Sequence, residues 1–97
     1  MEEKQYYVYI LASKKYGTLY TGVTSELIQR VHQHQQGLVE GFTKKYHVHQ
    51  LVYYEIHSDI YEAITREKSI KKYNRQCKIN LIEEDNPHWL NLAIGLL

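Results

Sequence analysis

The sequence predicts an α+β fold, with three strands and several helices around one modest core. Three observations carry that expectation. Two alternating apolar runs, residues 6–11 and 19–23, flank a polar connection that ends in Gly17, which is the pattern of an antiparallel hairpin. A third run, residues 50–57, is apolar on both faces (Leu51 and Tyr53 on one, Val52, Tyr54 and Ile56 on the other) and reads as a central strand covered on both sides. Asp59 and Glu62 then form a capping box that opens a helix running to about Tyr73. The expected element order is β-β-α-α-β-α, followed by C-terminal helices.

In the first strand, alternation sends Val8 and Ile10 to one face and Tyr7, Tyr9 and Leu11 to the other. Tyr9 and Tyr20 are expected side by side across the ladder with converging hydroxyls, and Gly22 lets the backbone approach a neighbour closely. These residues read as the floor of a reaction site. Thr24 or Ser25 should cap the next helix, with Glu26 in its first turn, Leu27, Ile28 and Val31 as its apolar stripe and Gly37 as its stop. Arg30 and His34, four apart, share a face of that helix. They form either a solvated flank or, beside Gly22, an anion clamp next to a proton-transfer group.

Residues 37–49 carry mixed signals. Phe42 and Tyr46 have helical spacing, Gly41 and Thr43 favour a loop, and Lys44 and Lys45 add positive charge. The pairs His32/His34 and His47/His49 lack a companion ligand set, so zinc is not expected. In the third strand Glu55 is the polar exception, placed towards the strand end. The following helix has an inward stripe of Ile60, Ala63, Ile64 and Ile70, and its remaining position is Glu67. A carboxylate on a buried stripe requires a partner. One solution is a salt bridge to Arg30, Arg66 or Lys71; the other is a one-carboxylate site for a hydrated hard cation such as magnesium. Residues 74–76 should break that helix, residues 78–84 form a short one, and Pro87 opens a last one through Leu96. The apolar face of this last helix would be Trp89, Leu90, Ala93, Ile94 and Leu97.

Composition narrows the class. The chain has 97 residues, enough for one small domain, with no apolar run long enough to cross a bilayer and no start resembling a signal peptide. One cysteine, Cys77, fits a reducing, cytoplasmic setting and reads as a small buried thiol. Formal net charge is only +1, but between Arg66 and Lys78 six cations face one anion, Glu67. Ten tyrosines against one Phe and one Trp suit sheets, wet clefts and base stacking.

Taken together, these residues resemble the GIY-YIG nuclease superfamily, in its small single-domain bacterial branch, over about residues 5–80, with 81–97 as a C-terminal helical extension. Tyr7-Val8-Tyr9 stands where the family has GIY, and Tyr20-Thr21-Gly22 where it has YIG. Arg30, ten residues beyond Tyr20, matches the family's catalytic arginine; His34 fills its His or Tyr position and Glu67 its metal-binding glutamate. Tyr7 replaces the first glycine, Val23 stands where related repair endonucleases have lysine, and the later polar residue, often Asn, has no clear counterpart. The resemblance implies a three-stranded antiparallel sheet wrapped by helices and a metal-dependent endonuclease acting on DNA ahead of RNA, in repair or recombination. It makes Tyr9, Tyr20, Arg30, His34 and Glu67 catalytic, with Mg2+ or Mn2+ on Glu67. Lys68, Lys71, Lys72 and Arg75 would contact the nucleic-acid backbone. Two competing readings are a non-cleaving nucleic-acid-binding module and a protein-interaction domain.

Overall fold

A computed structural model describes residues 4–37, 41 and 45–96. Strands β1 (Tyr6–Ala12), β2 (Leu19–Thr24) and β3 (Gln50–His57) form an antiparallel sheet in the order β2-β1-β3. Helix α1 (Leu27–Gln35) lies between β2 and β3 in sequence. Helices α2 (Ile60–Lys72) and α3 (Arg75–Asp85) follow, then a 3-10 turn at Leu92–Leu96. The alternation of β1 holds. Val8, Ile10 and Ala12 pack with Ala63, Ile70, Ile79, Ile82 and Trp89, so α2 and α3 cover one face. Tyr9 and Leu11 pack with Leu27, Val31, Val48 and Ala93, so α1 and the 3-10 turn cover the other.

The third strand departs from its expected reading twice. It is an edge strand, not the central one, because two-sided apolarity reports covered faces and not a place in the sheet. Its outer edge is instead closed by asparagines: Asn86 Nδ2 donates to the Val52 carbonyl (3.0 Å) and Asn91 Oδ1 accepts from Leu51 N (3.3 Å). A bulge also lies within it. Ile10 pairs with Tyr53 but Leu11 pairs with Leu51, leaving Val52 as the extra residue. Leu51 therefore joins Leu11 on the α1 side while Val52 and Tyr53 join the α2 side, which reverses the expected sharing of faces.

Helix boundaries moved where capping chemistry was read one step off. Glu26, not Thr24 or Ser25, is the N-cap of α1, and Thr24 Oγ1 accepts from Glu26 N (3.0 Å) in the turn before it. Asp59 caps α2 as expected, accepting from Tyr61 N (3.2 Å). The expected break is present at Tyr73–Asn74, but Asn74 is also the N-cap of α3, accepting from Cys77 N (2.8 Å), so that helix starts three residues early and Cys77 is exposed on it. No long helix follows Pro87. Buried Asn86 grips both the amide and the carbonyl of Leu90 (2.9 Å each), and Trp89 takes a left-handed φ of 55°. The chain folds back there, burying Trp89 and Ala93 but leaving Leu90 and Ile94 outside. The short helix expected across Phe42 and Tyr46 falls largely outside the described residues, as does Leu97; Lys45 N donates to the Gly41 carbonyl (3.0 Å).

Candidate active site

The site is built on the α1 face of the hairpin. Tyr9 sits at the centre of β1, 2 % exposed, and its cross-strand partner is Gly22. A Cβ on residue 22 would stand 2.5 Å from the Tyr9 hydroxyl oxygen and 2.6 Å from Cζ, so the phenol lies over β2 only because glycine is there. Tyr20 pairs with Leu11, not with Tyr9; the two tyrosines are diagonal neighbours, their ring centroids 6.4 Å apart. The last turn of α1 brings in His34, 4 % exposed, with its ring 6.2 Å from Tyr9 and 5.5 Å from Tyr20. Its Nε2 lies 3.4 Å from the Tyr9 hydroxyl, a long hydrogen bond. Two phenols and an imidazole thus form a small triangle.

Charge around the triangle sets the protonation states. Burial, then the neighbouring Tyr20, raises the Tyr9 phenol well above its ordinary value; Arg30 opposes this and Glu67 adds to it. Arg30 pulls in the direction a phenolate base would require but is outweighed, so Tyr9 is a neutral hydroxyl at neutral pH. Burial and then Arg30 lower His34, leaving an uncharged imidazole. Tyr9 donates to Nε2 when the imidazole proton is on Nδ1, the tautomer in which His34 is the acceptor of the pair. Arg30 is exposed one turn before His34, on the same helix flank.

Glu67 comes from the other layer, since Ala63 and Ile70 on either side of it pack against the Val8 face. Its carboxylate is only 13 % exposed and pairs with Lys71 Nζ (3.2 Å), which selects one of the three expected partners. Arg66 is committed elsewhere. Although β1 and β2 separate α2 from α1, the Glu67 charge is felt at the Tyr9 hydroxyl. Among the described residues no three His, Cys, Asp or Glu side chains gather as a metal-binding group. A cation at Glu67 would therefore have one protein carboxylate and complete its shell with water and phosphate oxygens, an arrangement that suits magnesium or manganese.

The basic residues divide. Lys68 and Lys72 are exposed on α2, and Lys71 holds Glu67. Arg75 has a structural role besides: its Nη2 donates to the carbonyls of Tyr16 (2.5 Å) and Gly17 (2.8 Å), so it tethers the β1–β2 turn. Tyr16 in turn donates to Glu83 (3.0 Å), which also accepts from Trp89 Nε1 (2.9 Å), and the two rings meet edge to face. A cluster that sequence reasoning missed centres on Glu55. It accepts a short hydrogen bond from Tyr53, contacts His57 Nε2 (2.9 Å) and accepts from Arg66 Nε (2.8 Å). The signal was present: Tyr53, Glu55 and His57 alternate on one strand face.

Comparison with known proteins follows the same geometry. The GIY-YIG catalytic domain profile matches residues 5–80. The chain belongs to the GIY-YIG family. Similar GIY-YIG relatives include the UPF0213 protein of Staphylococcus saprophyticus, 39% identical over 80 residues, covering 82% of this chain and 96% of that one. A UPF0213 protein of Staphylococcus aureus is 39% identical over 79 residues, covering 81% and 95%. The solution NMR structure of a UPF0213 protein from Bacillus halodurans superposes with a TM-score of 0.56 at 29% identity, covering 90% of this chain and 92% of that one. The GIY-YIG fold is therefore shown by sequence and by architecture. The family's catalytic domain implies a nucleic-acid substrate, and among the described residues no helix is long and apolar enough to cross a membrane.

Proposed function

We propose that the protein is a divalent-metal-dependent endonuclease hydrolysing phosphodiester bonds, in DNA ahead of RNA, with a role in repair or recombination. The observation that supports this best is the Tyr9–Tyr20–His34 triangle, whose Tyr9 hydroxyl feels the opposed charges of Arg30 and Glu67. Phosphodiester cleavage develops negative charge on phosphate and leaving oxygens, so positioned cations supply much of the rate. Arg30 would hold a non-bridging oxygen through its planar fork. Tyr9 would orient the attacking water, and His34, uncharged at neutral pH, would take its proton directly or through the Tyr9 hydroxyl. Tyr20, its ring beside Tyr9 and His34, would share in positioning that water. Glu67 would hold Mg2+ or Mn2+, which when bound supplies Lewis acidity at the phosphate and leaving oxygen. Exposed Lys68 and Lys72 would contact backbone phosphates, giving binding that weakens as salt is added.

The test is incubation with branched, single-stranded and duplex substrates and Mg2+ or Mn2+. Arg30→Ala is expected to cut the rate about a hundred- to a thousandfold, and Glu67→Gln to abolish metal-dependent cleavage. Identical background from wild type and both variants ends the proposal. A non-cleaving nucleic-acid-binding module is the second reading, favoured by the departures at Tyr7 and Val23 and by the exposed Lys68, Lys72 and Tyr61 on α2. Salt-sensitive binding without cleavage at any metal concentration selects it.

A further inference from the structure

We propose that Lys71 is a place-holding counter-ion for Glu67, displaced when a divalent cation binds the carboxylate. The inference rests on the reading of Glu67 as the metal ligand and adds a residue to it. Glu67 lies on the inward stripe of α2 between Ala63 and Ile70, with its side chain 13 % exposed. A carboxylate so far removed from water is costly without a compensating charge. Among the described residues the cation within ion-pair reach is Lys71, one turn further along, with Nζ 3.2 Å from Oε1. Arg66 is not a substitute, because its guanidinium is bound to Glu55 and Tyr73. Lys68 and Lys72 leave the helix at other angles.

The pair is asymmetric. The Lys71 side chain is 51 % exposed on a flexible four-carbon stem. An ammonium against Oε1 and a dication on the same carboxylate would repel each other, so the two cations compete. Lysine is the cation that can leave, because its head returns to water while the carboxylate remains fixed on the packed stripe. Once released, the ammonium would be free to pair with a phosphodiester oxygen. Charge at Glu67 is thereby balanced in both states, and Lys71 contacts nucleic acid only once the metal has arrived.

The deciding measurement is Mn2+ binding to the full chain without nucleic acid, followed by electron paramagnetic resonance of the free ion. Lys71→Met is expected to tighten Mn2+ binding about two- to fivefold, the range of a partly exposed ion pair. Lys72→Met removes the same charge off the stripe and is expected to change it clearly less. Glu67→Gln is expected to abolish the site. Equal changes in Lys71→Met and Lys72→Met, or weaker binding in Lys71→Met, would overturn the counter-ion proposal and leave the metal site standing. Binding by Glu67→Gln equal to wild type, or no binding by any form, would overturn the Glu67 reading itself and this inference with it. Lys71→Arg, which keeps the charge, is expected to bind close to wild type; tightening equal to that of Lys71→Met would show that displacement of charge is not the cause.

Discussion

Tyr9 lies over Gly22 so closely that a methyl group at residue 22 would fall inside the contact distance of its hydroxyl. Gly22→Ala is therefore expected to push the ring off His34, costing about 1–3 kcal/mol of stability and most of the cleavage activity. Thermal unfolding and a cleavage assay on the same sample check both. At Glu55, burial pulls the carboxyl up, but hydrogen bonds from Tyr53, His57 and Arg66 outweigh it and hold the pKa below the ordinary value. A carboxyl lowered in the folded state adds stability that is complete above the unfolded pKa and is lost as pH falls through the folded one. Unfolding midpoints measured from pH 7 down to pH 3 are expected to fall for wild type, and Glu55→Gln should flatten that acid limb while lowering the plateau at neutral pH. A parallel fall in both proteins would show that Glu55 does not carry it.

Among the elements, β3 depends on the segment after α3. Asn86 is 4 % exposed and its amide serves the Val52 carbonyl and both polar groups of Leu90. Asn86→Ala leaves buried backbone groups unpaired, which should cost about 2–3 kcal/mol, read as a lower urea midpoint with an unchanged slope. The bulge at Val52 sits beside this grip. It turns Tyr53 to the α2 face, where its hydroxyl reaches Glu55. A straight strand would have put Tyr53 with Leu51.

Across the whole molecule, residues from the β1–β2 turn, α3 and the segment that follows α3 meet at one corner. Arg75 holds the hairpin turn from one side, and Glu83 with Trp89 holds Tyr16 from the other. The hairpin that carries Tyr9 and Tyr20 is thus fixed at its far end partly by chain beyond the matched GIY-YIG profile, through Glu83 and Trp89. Trp89 is 4 % exposed in the core on the α2 side. Trp89→Ala should cost about 3–5 kcal/mol and raise hydrogen exchange at residues 13–17 as well as around the cavity. Exchange at the hairpin turn unchanged from wild type would show that the corner does not brace it.

Sequence alone determined which faces of β1 are buried, the Asp59 cap and the Gly22 approach. Those features follow from periods of two and 3.6 and from the local chemistry of single residues, which neighbours along the chain fully specify. Tertiary structure decided the rest. The bulge at Val52, the edge position of β3 and the engagement of Arg75 with the hairpin each depend on groups distant in sequence, and Glu67 is left to Lys71 because Arg66 is taken by Glu55 on β3. The same holds for proton affinity: burial raises the Tyr9 phenol above its ordinary value, and that burial exists only once the sheet and α1 have closed around it.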